Sequence, residues 1–123
     1  MGMGPILIVG MCPSHKPTLG HKHNATFRKL ESWMDCLNIR HFSFINTFDY
    51  HDKPKMSNVN FKSLQEACIE YNNILALGLF ASRALDRINV KHYTLPHPSP
   101  LNRLLNDKQY ENFVIESCKD YLV

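Results

Sequence analysis

The sequence predicts an α/β domain in which a parallel sheet is covered by helices on both faces. Three observations carry this. Ile6-Leu7-Ile8-Val9 and Ile74-Leu75-Ala76-Leu77 are apolar without alternation, as strands buried on both sides are. Stretches with apolar residues at helical spacing separate the strand-like runs, which is the order of βαβ units. A chain of 123 residues with 44% apolar content also suffices for one domain (1–123) with a real core.

The first strand, Ile6 to Val9, is followed by a polar loop from Gly10 to His23, with Pro13, Pro17 and Gly20 as turn formers. Asn24 is placed to cap a helix of about 25–37, whose face is marked by Phe27, Leu30, Met34 and Leu37. Trp33 lies on or beside that stripe and reads as core. Arg40 to Ile45 is the second strand, ending in Asn46-Thr47-Phe48, and a polar loop with Pro54 runs on to Asn60. Phe61, Leu64, Cys68 and Tyr71 mark the second helix. Ile74 to Leu77 is the third strand, stopped by Gly78, and Phe80, Ala84 and Ile88 mark a short third helix. Val90 to Leu95 is the fourth strand. The last helix, about 107–122, carries Tyr110, Phe113, Val114, Ser117 and Tyr121 on one face.

Composition narrows the function classes. No apolar run approaches the ~20 residues of a membrane span, and Met1-Gly2-Met3-Gly4-Pro5 lacks the basic region and cleavage site of a signal peptide. The expected compartment is a reducing cytoplasm, with no membrane partner. Net charge is +3 with 20% charged residues, and a pI near 8.7 suits a phosphate backbone as partner without demanding one. Cys12, Cys36, Cys68 and Cys118 form no C-x-x-C pair, which argues against a zinc ribbon or a disulfide scaffold. Cys36, Cys68 and Cys118 fall on apolar helix faces, as buried thiols do. His15, His21 and His23 share a loop without a clear carboxylate or cysteine partner, so no metal is expected there.

The chemistry concentrates in two loops. Leu95-Pro96-His97-Pro98-Ser99-Pro100-Leu101-Asn102 has three prolines in five positions, which fix φ and remove backbone donors, so the loop is rigid. Gly10-Met11-Cys12-Pro13-Ser14 follows the first strand. Ligands of open parallel sheets bind outside the carboxyl ends of the strands, so the two loops face one crevice. Here the chain resembles the uracil-DNA glycosylase superfamily. Its first motif, a strand followed by G-x-[DN]-P, reads Gly10-Met11-Cys12-Pro13; its second reads His97-Pro98-Ser99-Pro100-Leu101. Leu75-Ala76-Leu77-Gly78-Leu79-Phe80-Ala81 resembles the family's third strand and glycine turn, and Phe44-Ile45-Asn46-Thr47 the stretch that reads uracil. The resemblance implies a three-layer α/β/α sandwich with a four-stranded parallel sheet in order 2-1-3-4. Some branches hold an iron–sulfur cluster on four cysteines; the spacing here does not support one, and no cofactor is expected.

An enzyme that removes a base must take the nucleotide out of the stack, fill the hole and hold the bent backbone. The resemblance makes Leu101 the wedge. Ser14 and Ser99, beside prolines, are candidate phosphate contacts, with Asn102 in the same group. Backbone N–H groups of Gly78 to Ala81 are expected at the N-terminus of the third helix, where phosphate is favoured. His97 is the catalytic candidate, because a neutral imidazole N–H aimed at the carbonyl between the ring nitrogens stabilises the departing pyrimidine. Asn46 offers both donor and acceptor to a base edge, with Gly10 and Met11 in the same pocket. An aromatic has to cover the flipped base; Phe27, Phe48 and Tyr50 are the candidates, and Phe48 is placed among the substrate-binding residues. Cys12 is the departure. The family has aspartate or asparagine there to orient the attacking water, whereas an ordinary thiol is protonated and a poor acceptor. Water activation is then weak, or comes from Asp49 or Asp52, or from a Cys12 thiolate favoured by His15 or His97.

The expected function is a monomeric, monofunctional DNA glycosylase acting on uracil or a related modified pyrimidine. The alternative, favoured by Cys12, is a catalytically weak or inactive relative that binds DNA or a nucleotide in the same pocket.

Overall fold

The computed structural model describes residues 4–11, 25–50, 53–98 and 102–122. Strands and helices alternate: β1 (Ile6–Gly10), α1 (Ala25–Cys36), β2 (Ser43–Asn46), α2 (Phe61–Cys68), β3 (Asn73–Leu77), α3 (Gly78–Arg87), β4 (Tyr93–Leu95) and α4 (Lys108–Tyr121). The strands form one parallel sheet in the order β2-β1-β3-β4, as the resemblance implied. Among the described residues no helix is long and apolar enough to cross a membrane.

Strand alternation sorts the side chains onto two faces. Ile6 and Ile8 of β1, Leu75 and Leu77 of β3 and Leu95 of β4 meet Leu30, Trp33 and Met34 of α1 and Val114, Ile115 and Cys118 of α4. Leu7 and Val9, with Ile74 and Ala76, meet Leu64 and Cys68 of α2 and Ala81, Ala84 and Leu85 of α3 on the other face. Helices therefore cover both faces, and β1 and β3 are buried along their whole length. Each fully buried aliphatic side chain stabilises the fold by about 1.5–3 kcal/mol relative to exposure.

Several local expectations need correction. Both edge strands are shorter than the apolar runs suggest. β2 starts at Ser43, paired with Leu7, and β4 at Tyr93, paired with Leu75; an edge strand has pairing partners on one side only, and the run's composition does not reveal where they begin. β3 stops at Gly78 as expected, and Gly78 is also the first residue of α3. A 3-10 turn, Arg103–Asn106, precedes α4, and Asp107 caps that helix by accepting from the N–H groups of Gln109 and Tyr110. The inward stripe of α4 is Glu111, Val114, Ile115 and Cys118, whereas Phe113 is 70% exposed. The stripe is rotated because Glu111 points inward. Its carboxylate accepts from Trp33 Nε1 at 2.7 Å and pairs with Lys29 Nζ at 2.9 Å, so the charge is not left bare. Cys36 is exposed, not on the buried face of α1, while Cys68 and Cys118 are buried.

Candidate functional site

The carboxyl ends of all four strands lie along one edge of the sheet, and each ends on a residue singled out from the sequence. From edge to edge these are Asn46 as the last residue of β2, Gly10 as the last of β1, Gly78 directly after β3 and His97 just beyond β4. Three interstrand spacings, roughly 14 Å, separate the outer two strands.

At one end, Gly10 and Asn46 are partners in the β1–β2 register. A Cβ on Gly10 would fall 2.8 Å from Asn46 Oδ1 and 2.8 Å from Phe44 Cζ, so only glycine leaves room for both. Phe44 stands two residues before Asn46 and so on the same face. Its ring meets Phe27 of α1 edge to face, with centroids 6.3 Å apart. Gly10, Phe27, Phe44 and Asn46 thus form one half-open corner.

Thr47 fixes that corner. Its N–H donates to the carbonyls of Gly10 and Met11, at 2.9 and 3.1 Å, and its hydroxyl donates to the Met11 carbonyl as well. Phe48 N–H adds a longer bond to the same oxygen, 3.4 Å. The last residues of β1 and β2 are therefore held together where the Gly10 loop begins. Thr47 is buried, and nothing in its residue type marks that role. Phe44 was legible from strand periodicity but was not singled out.

Phe48 stands apart from the corner. The chain turns at Thr47, and the Phe48 ring enters the core under α2 and α3, 2% exposed, against Tyr50 and Phe80 at centroid distances of 5.4 and 6.1 Å. Met11 is half-buried on that same side. Of the three aromatic candidates, only Phe27 lies on the face of Asn46.

At the other end, Gly78 and His97 are in contact. A Cβ on Gly78 would lie 3.4 Å from His97 Cβ and 3.6 Å from Cδ2, which are ordinary contacts, but the φ of +88° is one that L side chains rarely adopt. Leu77, at the cap position of α3, makes no side-chain cap, so no side chain at that position covers the first N–H groups of the helix. His97 is half-buried, and burial lowers its pKa below the ordinary 6.5. Burial therefore favours the neutral form of its imidazole. Asn102 braces the loop: its Nδ2 donates to the His97 carbonyl at 2.9 Å, and its Oδ1 accepts from Leu104 N–H at 3.1 Å. Pro98 is fully buried. The Asn102 side chain is thus used within the chain, to hold the backbone that carries His97.

Cys12, Ser14, Ser99 and Leu101 lie outside the described residues, as do Asn24, Asp52 and the His15, His21 and His23 loop. Asp49 is exposed beside Tyr50. No family model, no curated protein and no solved structure matches this chain.

Proposed function

We propose that the chain is a small DNA glycosylase of uracil-DNA glycosylase type, excising uracil or a related modified pyrimidine by hydrolysis of the N-glycosidic bond. The observation that carries this reading is the placement of one carboxamide, Asn46, and one imidazole, His97, at opposite ends of a single row of strand termini. The sequence motifs around both residues support it.

In this reading the flipped base enters the crevice with its Watson–Crick edge toward Asn46. Uracil presents carbonyl acceptors and an N3 donor there, and a carboxamide answers both. The Phe44 and Phe27 rings supply an apolar wall beside it. Water attacks the sugar carbon C1′, the C1′–N1 bond breaks, and its electron pair leaves with the pyrimidine. Negative charge gathers on the carbonyl between the ring nitrogens, where the His97 N–H donates. The strength of that bond in a water-poor site is what lowers the barrier. The water's proton passes to solvent or to a group on the Gly10 loop. Cys12 occupies the motif position where a carboxylate or carboxamide would orient that water, so the water step is the weak one. Cys12 also supports a second reading, a glycosylase-like binder of DNA or a nucleotide without turnover.

A single-turnover assay on uracil-containing single- and double-stranded oligonucleotides separates the two. Release of free base with formation of an abasic site supports the enzyme. Salt-sensitive binding without release supports the binder.

A further inference from the structure

Behind the His97 loop, on the α1 and α4 side, is a cavity of about 230 Å³. Its wall includes Pro98, Asn106, Lys29 and Lys108, with Ala25 at the start of α1. Both ammonium groups reach the same carboxylate: Lys29 Nζ lies 2.9 Å from Glu111 Oε2 and Lys108 Nζ 3.4 Å from Oε1. The carboxylate also takes the Trp33 N–H, is only 11% exposed, and does not line the cavity. The neighbouring Asp107 is turned onto the first turn of α4 as its cap. Two lysines therefore line the space, while the carboxylate that pairs with both of them is not part of its wall. The field inside favours an anion.

Size admits the anion: a volume of about 230 Å³ is ample for a phosphoryl group and lies below the roughly 300–1,000 Å³ of pockets that enclose drug-sized ligands. Position selects its source. Pro98, one residue from His97, forms part of the wall, so an anion held here lies beside the backbone that carries the leaving-group donor.

We propose that this cavity is a phosphate subsite, in which Lys29 and Lys108 hold a backbone phosphodiester of the strand whose target base occupies the Asn46–His97 crevice. Naming the backbone as the source rests on the glycosylase reading; the preference for a phosphate group does not.

The test compares Lys108→Gln with Lys119→Gln. Both remove one positive charge. Lys119 pairs with Glu116 near the other end of α4, so it controls for net charge. Affinity for a short single strand carrying a non-hydrolysable deoxyuridine analogue is measured across a salt series. Lys108→Gln is expected to weaken binding several-fold and to reduce the slope of log K against log salt by about 0.7, the loss of one phosphate contact on a single strand. Lys119→Gln is expected to leave both unchanged. The same effect from both variants overturns the subsite. In a second arm, inorganic phosphate is titrated while the Asn106 and Lys108 amide resonances are followed. Phosphate-dependent shifts that vanish in Lys108→Gln, with no change in DNA slope, overturn the backbone source while leaving a free-phosphate site. A Lys108-specific DNA effect in a protein that releases no uracil supports the subsite and removes the glycosylase reading by itself.

Discussion

Gly10 leaves its side-chain space to Asn46: a Cβ at Gly10 would fall 2.8 Å from Asn46 Oδ1. The contact joins the end of β1 to the carboxamide proposed to read the base. Gly10→Ala would have to push back Asn46 Oδ1 and the Phe44 ring edge, both far ends of side chains. The expected stability cost is about 1–3 kcal/mol, the range for overpacking a filled site. Uracil release is expected to fall further than that loss of stability explains. Thermal unfolding and single-turnover release, measured on the same preparation, check both.

Asn46→Asp keeps the size of the side chain, removes its two N–H donors and adds a charge. Uracil's carbonyl acceptors then face a carboxylate, and uracil release is expected to drop by about 5- to 150-fold, the scale of one unsatisfied buried polar group of about 1–3 kcal/mol. An exocyclic amine, as on cytosine, gains an acceptor in the same place. Competition between uracil- and cytosine-containing strands reads the change in preference. Unaltered selectivity would remove Asn46 as the reader.

The architecture was legible because its signal is repeated: unbroken apolar runs at β1 and β3, helical spacing between them, and two loops whose prolines forbid regular structure. Boundaries at β2 and β4 were not, since edge pairing depends on register and not on composition. Glu111 shows a second limit. Periodicity assigns a carboxylate to the outer face, and only the distant Lys29 and Trp33 make the inner face affordable for it. In the site, Asn46, Gly10, Gly78 and His97 were legible from type and position at strand ends. Thr47 was not, because its work is done by backbone groups and a hydroxyl that any turn threonine possesses.

Glu111 makes acid stability a test of the α1–α4 contact. Burial alone would push its carboxyl up, but the hydrogen bonds from Lys29 and Trp33, with Lys29's charge and a further bond from Lys108, hold it below the ordinary value of 4.5. A depressed carboxyl contributes stability that is present above 4.5 and lost as pH falls through its folded-state value. Glu111→Gln is expected to cost about 1–3 kcal/mol near neutrality and to flatten that part of the acid dependence. Thermal unfolding from neutral pH downward reads both.

The half-buried imidazole of His97 should titrate below 6.5. Between its folded value and 6.5 the unfolded chain binds the proton more readily, so this group's contribution to stability declines as pH falls through that window. The C2 proton of His97, assigned by its loss in His97→Ala, gives the midpoint directly. A midpoint above 6.5 would contradict the effect assigned to burial of the ring.

The rate of uracil release by the parent protein and by His97→Ala, measured in single turnover on one uracil-containing strand, decides whether His97 stabilises the departing base. Loss of one preorganised donor to the departing base is expected to slow release by about 10²-fold or more, while affinity for the strand changes little, because phosphate contacts dominate it. Equal rates in parent and variant, both folded, would contradict the role given to His97, and no release by the parent on either single- or double-stranded substrate would contradict the enzyme.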